Sequence, residues 1–512
     1  MPSLNERNGF TSIPVGFALV VAVLSLVAPT PVAAEPAAKP NIVIIYADDM
    51  GYGDLAVQNP ESKIPTPHLD RLAREGMRFT DAHSSAALCS PSRYALLTGC
   101  YHWRRLQDIV RPFGPPVFEP ADVTLPGMLK TQGYRTACIG KWHLGWDWEA
   151  IKNRGVERPD QKTGYSADAF DWSKPIPGGP TARGFDYYFG NDVPNFPPYT
   201  WFENDRIVGP RPTVPVSPKG PTAEAGWDTW AGPMPKDWDF YTVVPRLTQK
   251  TVDWIGEQKG KAGPFFLYVP LNSPHTPIVP VQEFRGRSQA GGYGDWVAQT
   301  DDNVGRILQA LVDNGLAENT LVIFSSDNGP EAMAYNRIRK FDHRSAGPLR
   351  GVKRDLWEGG HRVPMIVRWP GRVKPETVNG ELISQVDVVA TLAAAVGATL
   401  PAESAPDSYN LLPVWTEGAA SPRRSIVHNG VNGSYAVRHE EWLLVAAKTG
   451  GVNQPPAWFD EENGYKKNEY AGELYDLSQD LGQRRNLYGE RADKVAELES
   501  LLKQIRVKGQ VR

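Results

Sequence analysis

Five short apolar runs recur from residue 40 to residue 369: Pro40 to Tyr46, Tyr134 to Ile139, Pro264 to Leu271, Thr320 to Ser325 and Val363 to Trp369. They are rich in β-branched and aromatic residues and lack clean in–out alternation. That is the pattern of strands buried on both faces, as in a mostly parallel sheet. Helical patterns separate them. Thr66-Pro67 opens a helix that runs through Glu75 and closes at Gly76. Leu125 to Gln132 closes at Gly133, Asp295 to Asn314 is long and amphipathic, and Gln385 to Val396 follows. Strands alternating with helices predict an α/β, doubly wound sheet flanked by helices. Open sheets of this kind bind ligands at the carboxyl ends of their strands. Two of the runs end there in oxygen donors, Asp48-Asp49 and Asp327-Asn328. An oxygen set without His or Cys selects a hard cation, Ca²⁺ or Mg²⁺.

The remaining chain reads differently. Trp142 to Trp254 holds nine of the sixteen tryptophans with many Pro and Gly. It reads as long loops decorating the sheet, whose tryptophans mostly staple the loops while some are free to stack on sugar rings. Beyond Gly397, Ser425 to Val427, Ser434 to Arg438 and Trp442 to Ala447 are short strands between turns, an antiparallel meander, and Arg491 to Val507 is a charged amphipathic helix. The chain therefore divides into a leader at 1–34, a large domain at 35–397 and a C-terminal subdomain at 398–512. In the leader, Arg7 precedes an apolar run from Val15 to Ala28 that is too short to span a bilayer, and Val32-Ala33-Ala34 offers cleavage after Ala34. This predicts an exported protein, periplasmic or secreted, with no membrane span once the signal is cleaved. With 55 basic and 58 acidic residues the net charge is −3, so no basic field invites nucleic acid. Three cysteines, Cys89, Cys100 and Cys138, are too few for a disulfide framework; Cys138 lies in an apolar strand and reads as a buried thiol.

The stretch Leu88-Cys89-Ser90-Pro91-Ser92-Arg93-Tyr94-Ala95-Leu96-Leu97-Thr98-Gly99 concentrates the chemistry. Pro91 suits the first turn of a helix, Tyr94 to Thr98 continue it, and Gly99 ends it. Cys89 then sits at a helix N-terminus, where free N–H groups favour an anion, with Arg93 one turn on. By residue type alone, Cys89 also fits a buried small hydrophobe or half of a disulfide with Cys100.

Cys-x-Pro-Ser-Arg-x-x-x-Leu-Thr-Gly resembles the signature of the type I sulfatases of the alkaline phosphatase superfamily. The likeness continues through Thr66-Pro67-His68-Leu69-Asp70, Gly140-Lys141-Trp142-His143, Ser273-Pro274-His275-Thr276-Pro277, Leu349-Arg350-Gly351-Val352-Lys353 and Glu473-Leu474-Tyr475-Asp476-Leu477, from about Pro40 to Leu487. It departs at Cys100, where the family often has arginine. The resemblance implies an alkaline phosphatase-like sheet plus a small C-terminal domain with a four-stranded sheet and a final helix. It implies that a formylglycine-generating enzyme oxidises Cys89 to formylglycine, which acts as its hydrate. It also implies that Asp48, Asp49, Asp327, Asn328 and residue 89 bind Ca²⁺ in preference to Mg²⁺. Arg93, Lys141 and Lys353 would hold the sulfate, His275 with Lys353 would protonate the leaving alcohol, and His143 would take the proton that releases sulfate from a covalent intermediate. The implied substrate is a sulfated carbohydrate or an aryl sulfate. His102 and His343 are further candidates to touch it. A phosphodiesterase or phosphonate hydrolase of the same superfamily, or a noncatalytic glycan-binding protein, are the alternatives.

Overall fold

The computed structural model describes residues 9–16, 39–157, 164–216, 222–224 and 226–508. The expected cleavage point after Ala34 and nearly all of the leader's apolar run lie outside the described residues. Strand β1 (Asn41–Ala47) is buried throughout and forms the centre of a ten-stranded mixed sheet. Its side chains alternate between two apolar layers. Ile42, Ile44 and Tyr46 enter one, and Val43, Ile45 and Ala47 the other, which is why the run lacks polar alternation.

On one side β1 pairs in parallel with β10 (Phe265–Pro270), followed by β4 (Arg135–Ile139) and β5 (Tyr187–Gly190), also parallel. Strands β6 (Trp201–Glu203) and β7 (Arg206–Val208) add antiparallel at that edge. On the other side β11 (Thr320–Ser326) is parallel to β1 and β12 (Met365–Arg368) is antiparallel to β11. Then come β2 (Met77–Phe79), antiparallel to β12, and β13 (Thr377–Asn379), parallel to β2. Two small pairs stand apart: β3 (Ala82–His83) with β14 (Ile383–Ser384), and β8 (Val214–Val216) with β9 (Gly232–Met234).

Helices cover both faces. The first layer takes side chains from α2 (Cys89–Thr98), α3 (Leu125–Thr131) and α8 (Val388–Val396). The second takes them from α1 (Pro67–Arg74), α4 (Val243–Gly256) and α5 (Gly291–Asp313). Helix α1 is not capped by Thr66 as its sequence suggests. The Thr66 hydroxyl donates to Asp70 instead, and Asp301 of α5 accepts from the N–H groups of His68 and Leu69 at 3.1 and 2.8 Å. A tertiary carboxylate has displaced the local cap.

The tryptophan-rich segment is also more than decoration, because β5, β6 and β7 extend the sheet through it. Trp142, Trp146 and Trp148 are buried in the first layer, with Trp146 stacked on Phe202. After α8, β15 (Ser425–Asn429), β16 (Tyr435–His439), β17 (Trp442–Val445) and β18 (Glu473–Asp476) form a separate antiparallel sheet in that order. Leu498, Leu502 and Ile505 of the final helix, Ala492–Lys508, pack on it against Val437 and Leu444. All three cysteines are free thiols.

Candidate active site

The carboxyl ends of β1 and β11 lie side by side, because Ala47 pairs with Ser326. The chain turns sharply after each. Asp49 takes a left-handed backbone with φ 64°, and its N–H donates to Asp327 Oδ1 at 3.1 Å. Asn328 Nδ2 donates to Asp49 Oδ1 at 2.7 Å. Asp48, Asp49, Asp327 and Asn328 thus form one buried cluster.

Helix α2 presents Cys89 to it. Leu88 holds the N-cap in extended geometry, and Gly99 ends the helix with φ 69°. Cys89 Sγ lies 3.6 Å from Asp48 Oδ1 and 4.0 Å from Asp49 Oδ1, and the residue is 2% exposed. One turn on, Arg93 donates from Nε and Nη2 to Asp327 Oδ2. Lys141, just past β4, donates to Asp48 Oδ2 at 2.7 Å, and Lys353 donates to Asp49 Oδ2 at 2.8 Å. Three buried carboxylates therefore face three fixed, buried cations.

The electrostatics follow from that mixture. Burial, with Asp327 beside it, pushes the Cys89 thiol up, so the encoded side chain is a protonated thiol. Burial raises Asp48 against the pull of Lys141. At Asp327 burial is outweighed by Arg93, Lys141 and Lys353, which hold it below the usual carboxylate range. At Lys353 burial is likewise outweighed, chiefly by Asp49 and Glu331, which keep it charged.

The two histidines have opposite outlooks. His143 Nε2–H donates to the Val110 carbonyl at 3.0 Å, and its Nδ1 is buried with no hydrogen-bond partner among the described residues. Burial and the nearby Lys141 and Arg93 push its pKa well down, so the ring is neutral with a free lone pair on Nδ1. Lys141 and His143 do not project together from an extended run, as their spacing suggests: His143 is left-handed at φ 55°. His275 Nδ1–H donates to the Thr276 carbonyl at 2.6 Å, which turns Nε2 toward Asp49 Oδ2, 3.6 Å away.

Cys89, His143, His275 and Lys353 line one cavity of about 460 Å³. Its other walls carry Asp108, Arg111, Phe196, Trp230, Glu331 and Arg354, none of which the sequence singled out. Glu331 is held ionised by Lys353 and Arg354 despite burial. Glu331 and Arg354 lie a few residues from Asn328 and adjoin Lys353, and that adjacency was the available signal. Trp230 and Phe196 arrive through tertiary folding. His102 and His343 do not line the cavity. His102 is buried beneath Trp103, and His343 pairs with Asp54 at 2.8 Å.

The donor set suits a hard divalent cation. Three carboxylates converge, and Asn328 Oδ1 is a buried acceptor without a partner among the described residues. A group of Asp48, Asp49, Cys89 and His275 also brings its ligand atoms within 4.8 Å of one another.

The carboxylate cluster lies at the strand ends of a ten-stranded mixed sheet, which stands beside a four-stranded C-terminal sheet. The sulfatase family model matches residues 40–398, and that of the C-terminal part of N-sulphoglucosamine sulphohydrolase matches residues 352–445. An N-acetylgalactosamine-6-O-sulfatase of Bacteroides thetaiotaomicron is 33% identical over 92% of this chain and 94% of that one. Human arylsulfatase A is 32% identical over 92% of this chain and 88% of its own. A solved structure from the metabolism of multiple glycosaminoglycans by Bacteroides thetaiotaomicron superposes with a TM-score of 0.76 at 31% identity, covering 91% of this chain and 99% of that one. The chain belongs to the type I sulfatase family, and it is an enzyme that hydrolyses sulfate esters of glycans or aryl alcohols.

Proposed function

We propose that this sulfatase works through formylglycine at position 89 and one bound Ca²⁺, and that it removes sulfate from a sulfated carbohydrate. The observation that carries the reading is the position of Cys89. It lines the cavity at a helix N-terminus, beside Asp48 and Asp49, the carboxylates that Arg93, Lys141 and Lys353 engage. Asp48, Asp49, Asp327, Asn328 and residue 89 would hold the cation. The aldehyde, once formed and hydrated, supplies a nucleophile that a thiol or an ordinary hydroxyl does not match, and the cation supplies Lewis acidity.

The encoded residues do the rest. Arg93, Lys141 and Lys353 bind the sulfate oxygens and oppose the charge that grows on them in the transition state. His275 Nε2, with Lys353 beside it, donates a proton to the departing alcohol oxygen. His143 Nδ1, on a neutral ring and without a partner among the described residues, accepts the proton whose removal frees sulfate. Glu331 holds Lys353 and Arg354 in place through its carboxylate.

The relative named as an N-acetylgalactosamine-6-O-sulfatase directs the substrate proposal to 6-O-sulfated N-acetylhexosamine, with Trp230 and Phe196 as the apolar wall for a sugar ring. The leader at 1–34 points to export, with the catalytic domain at 35–397 and the C-terminal subdomain at 398–512. Among the described residues no helix is long and apolar enough to cross a membrane. Maturation requires a formylglycine-generating enzyme as a partner.

Mass spectrometry of the peptide holding Cys89, from active enzyme made beside that partner, should find the aldehyde in place of the thiol. Active enzyme carrying only free thiol would overturn the mechanism. Release of sulfate from N-acetylgalactosamine 6-sulfate in preference to the 4-sulfate tests the substrate.

A further inference from the structure

The loop that follows β5 holds the turn that carries His143. The parallel pairing of β4 with β5 runs on past Ile139: Gly140 N–H donates to the Phe189 carbonyl at 2.9 Å, and Trp142 N–H to the Asn191 carbonyl at 3.3 Å. At His143 a side chain takes over from the ladder. The His143 backbone N–H donates to Asp192 Oδ1 at 3.2 Å, and the Trp146 indole N–H donates to the same oxygen at 3.3 Å. Asp192 is 3% exposed and does not line the catalytic cavity, although Val193 and Asn195 beside it do.

This support falls where the backbone needs it most. His143 is left-handed at φ 55°, a conformation that residues with a Cβ hold only where their surroundings impose it. The rest of the turn is pinned on either side. Lys141 N–H donates to the Pro270 carbonyl at 2.8 Å. Gly145 is left-handed at φ 82°, and a Cβ there would collide with the Pro115 carbonyl. The His143 ring is tied at its far end, with Nε2–H on the Val110 carbonyl, and Phe196 meets it edge-on with centroids 5.8 Å apart. With the backbone N–H and Nε2 both tied, the direction of Nδ1 is set.

We propose, on the reading of His143 Nδ1 as the acceptor of the proton whose removal frees sulfate, that Asp192 is a positioning residue for His143. By taking the His143 N–H and the Trp146 indole N–H on one oxygen, it holds the left-handed turn that aims Nδ1. Both donors are neutral N–H groups, so the role asks for an acceptor at that point and not for a charge. Asp192→Asn, which keeps an Oδ1, should therefore serve, and Asp192→Ala should not.

The test is stopped-flow and steady-state kinetics of the active enzyme on nitrophenyl sulfate. When only the step after departure of the alcohol is slowed, kcat and KM fall together, kcat/KM is unchanged, and the first turnover appears as a burst of nitrophenol equal to the enzyme present. Asp192→Ala should show that pattern with kcat down about 10²-fold, the cost of misplacing a catalytic group by about 1 Å. Asp192→Asn should stay near wild type. General damage to the cavity would instead lower kcat/KM without a burst. His143→Ala is the reference. A burst in His143→Ala without one in Asp192→Ala, or an equal loss in Asp192→Asn and Asp192→Ala, would overturn the proposal. No burst in His143→Ala would overturn the role of His143 on which it rests. Should Asp192→Ala not fold, Asp192→Glu displaces the acceptor by one methylene and must show the same joint fall of kcat and KM; unchanged kinetics there would equally refute the assignment.

Discussion

Arg93 sends both Nε and Nη2 to a single oxygen of Asp327, at 3.1 and 2.7 Å, and its Nη1 is left buried with no hydrogen-bond partner among the described residues. Asp327 thus fixes the guanidinium plane, with Asp48 and Tyr268 beside the same group. Arg93→Ala should lower kcat/KM for any sulfate ester by about 10²–10³-fold, the range for removing one aimed donor to developing charge. Arg93→Lys should rescue little, because a lysine cannot hold Asp327 and donate to sulfate from one plane. Steady-state kinetics on an aryl sulfate and a sugar sulfate read this directly. Full activity in Arg93→Lys would remove the planar donor from the mechanism.

The two cavity histidines should separate by leaving group. A nitrophenolate departs well without a proton and a sugar alkoxide does not. His275→Ala should therefore slow sugar sulfates by about 10²–10⁴-fold while affecting nitrophenyl sulfate much less. His143→Ala should slow both alike, since its proton belongs to the release of sulfate. Equal losses on both substrates for His275→Ala would mean the roles are assigned wrongly.

Removing the cation should silence the enzyme. A strong chelator should abolish turnover, and Ca²⁺ should restore it more fully than Mg²⁺. Asn328→Ala, which deletes the buried Oδ1, should raise the Ca²⁺ concentration needed for half-recovery. Recovery by Mg²⁺ alone, or an unshifted requirement in Asn328→Ala, would point to a different ion or ligand set.

Stability should carry a pH signature from Asp301. Burial, aided by Asp70 and Asp302, raises its carboxyl to about 7, although the N–H groups of His68 and Leu69 pull the other way. The folded protein thus holds a proton there that the unfolded chain, with an aspartate pKa of about 3.9, gives up. The stabilisation is complete below that unfolded value and is lost as pH rises through about 7. Asp301→Asn keeps an acceptor for α1 and cannot ionise. Its stability relative to wild type should rise between pH 4 and pH 8, by an amount on the order of a few kcal/mol. Parallel melting curves across that range would refute the assignment.

The strands that carry the cage were legible in the sequence for a simple reason. β1 and β11 are buried on both faces, so residues 42–47 and 321–324 are apolar runs, with Asp48 and Asp327 following the strands. The local shape of α2 was legible too, through Pro91 and Gly99. Strands β5, β6 and β7 were not, because three or four residues carry too little periodicity to separate from loop. Thr66 looked like a cap, and only the fold brings Asp301 to take its place. The left-handed backbone at His143 is likewise a tertiary outcome. Trp230 and Phe196 reach the cavity from a segment whose other tryptophans pack into or against the two apolar layers, and nothing in their local sequence tells the two kinds apart.

The strand order also sets a schedule. β1 leaves the ribosome early, but its two neighbours, β10 and β11, are encoded more than two hundred residues later, beginning at Phe265 and Thr320. The centre of the sheet cannot close until both have emerged. Through that interval the segment around Cys89 has no finished sheet to dock against, whereas in the completed fold the residue is 2% exposed. Under the proposed mechanism, the enzyme that converts this side chain would have to work on a chain not yet folded, within a window that closes as β10 and β11 add to β1. Conditions that hasten folding should narrow that window and leave a larger share of molecules permanently unconverted.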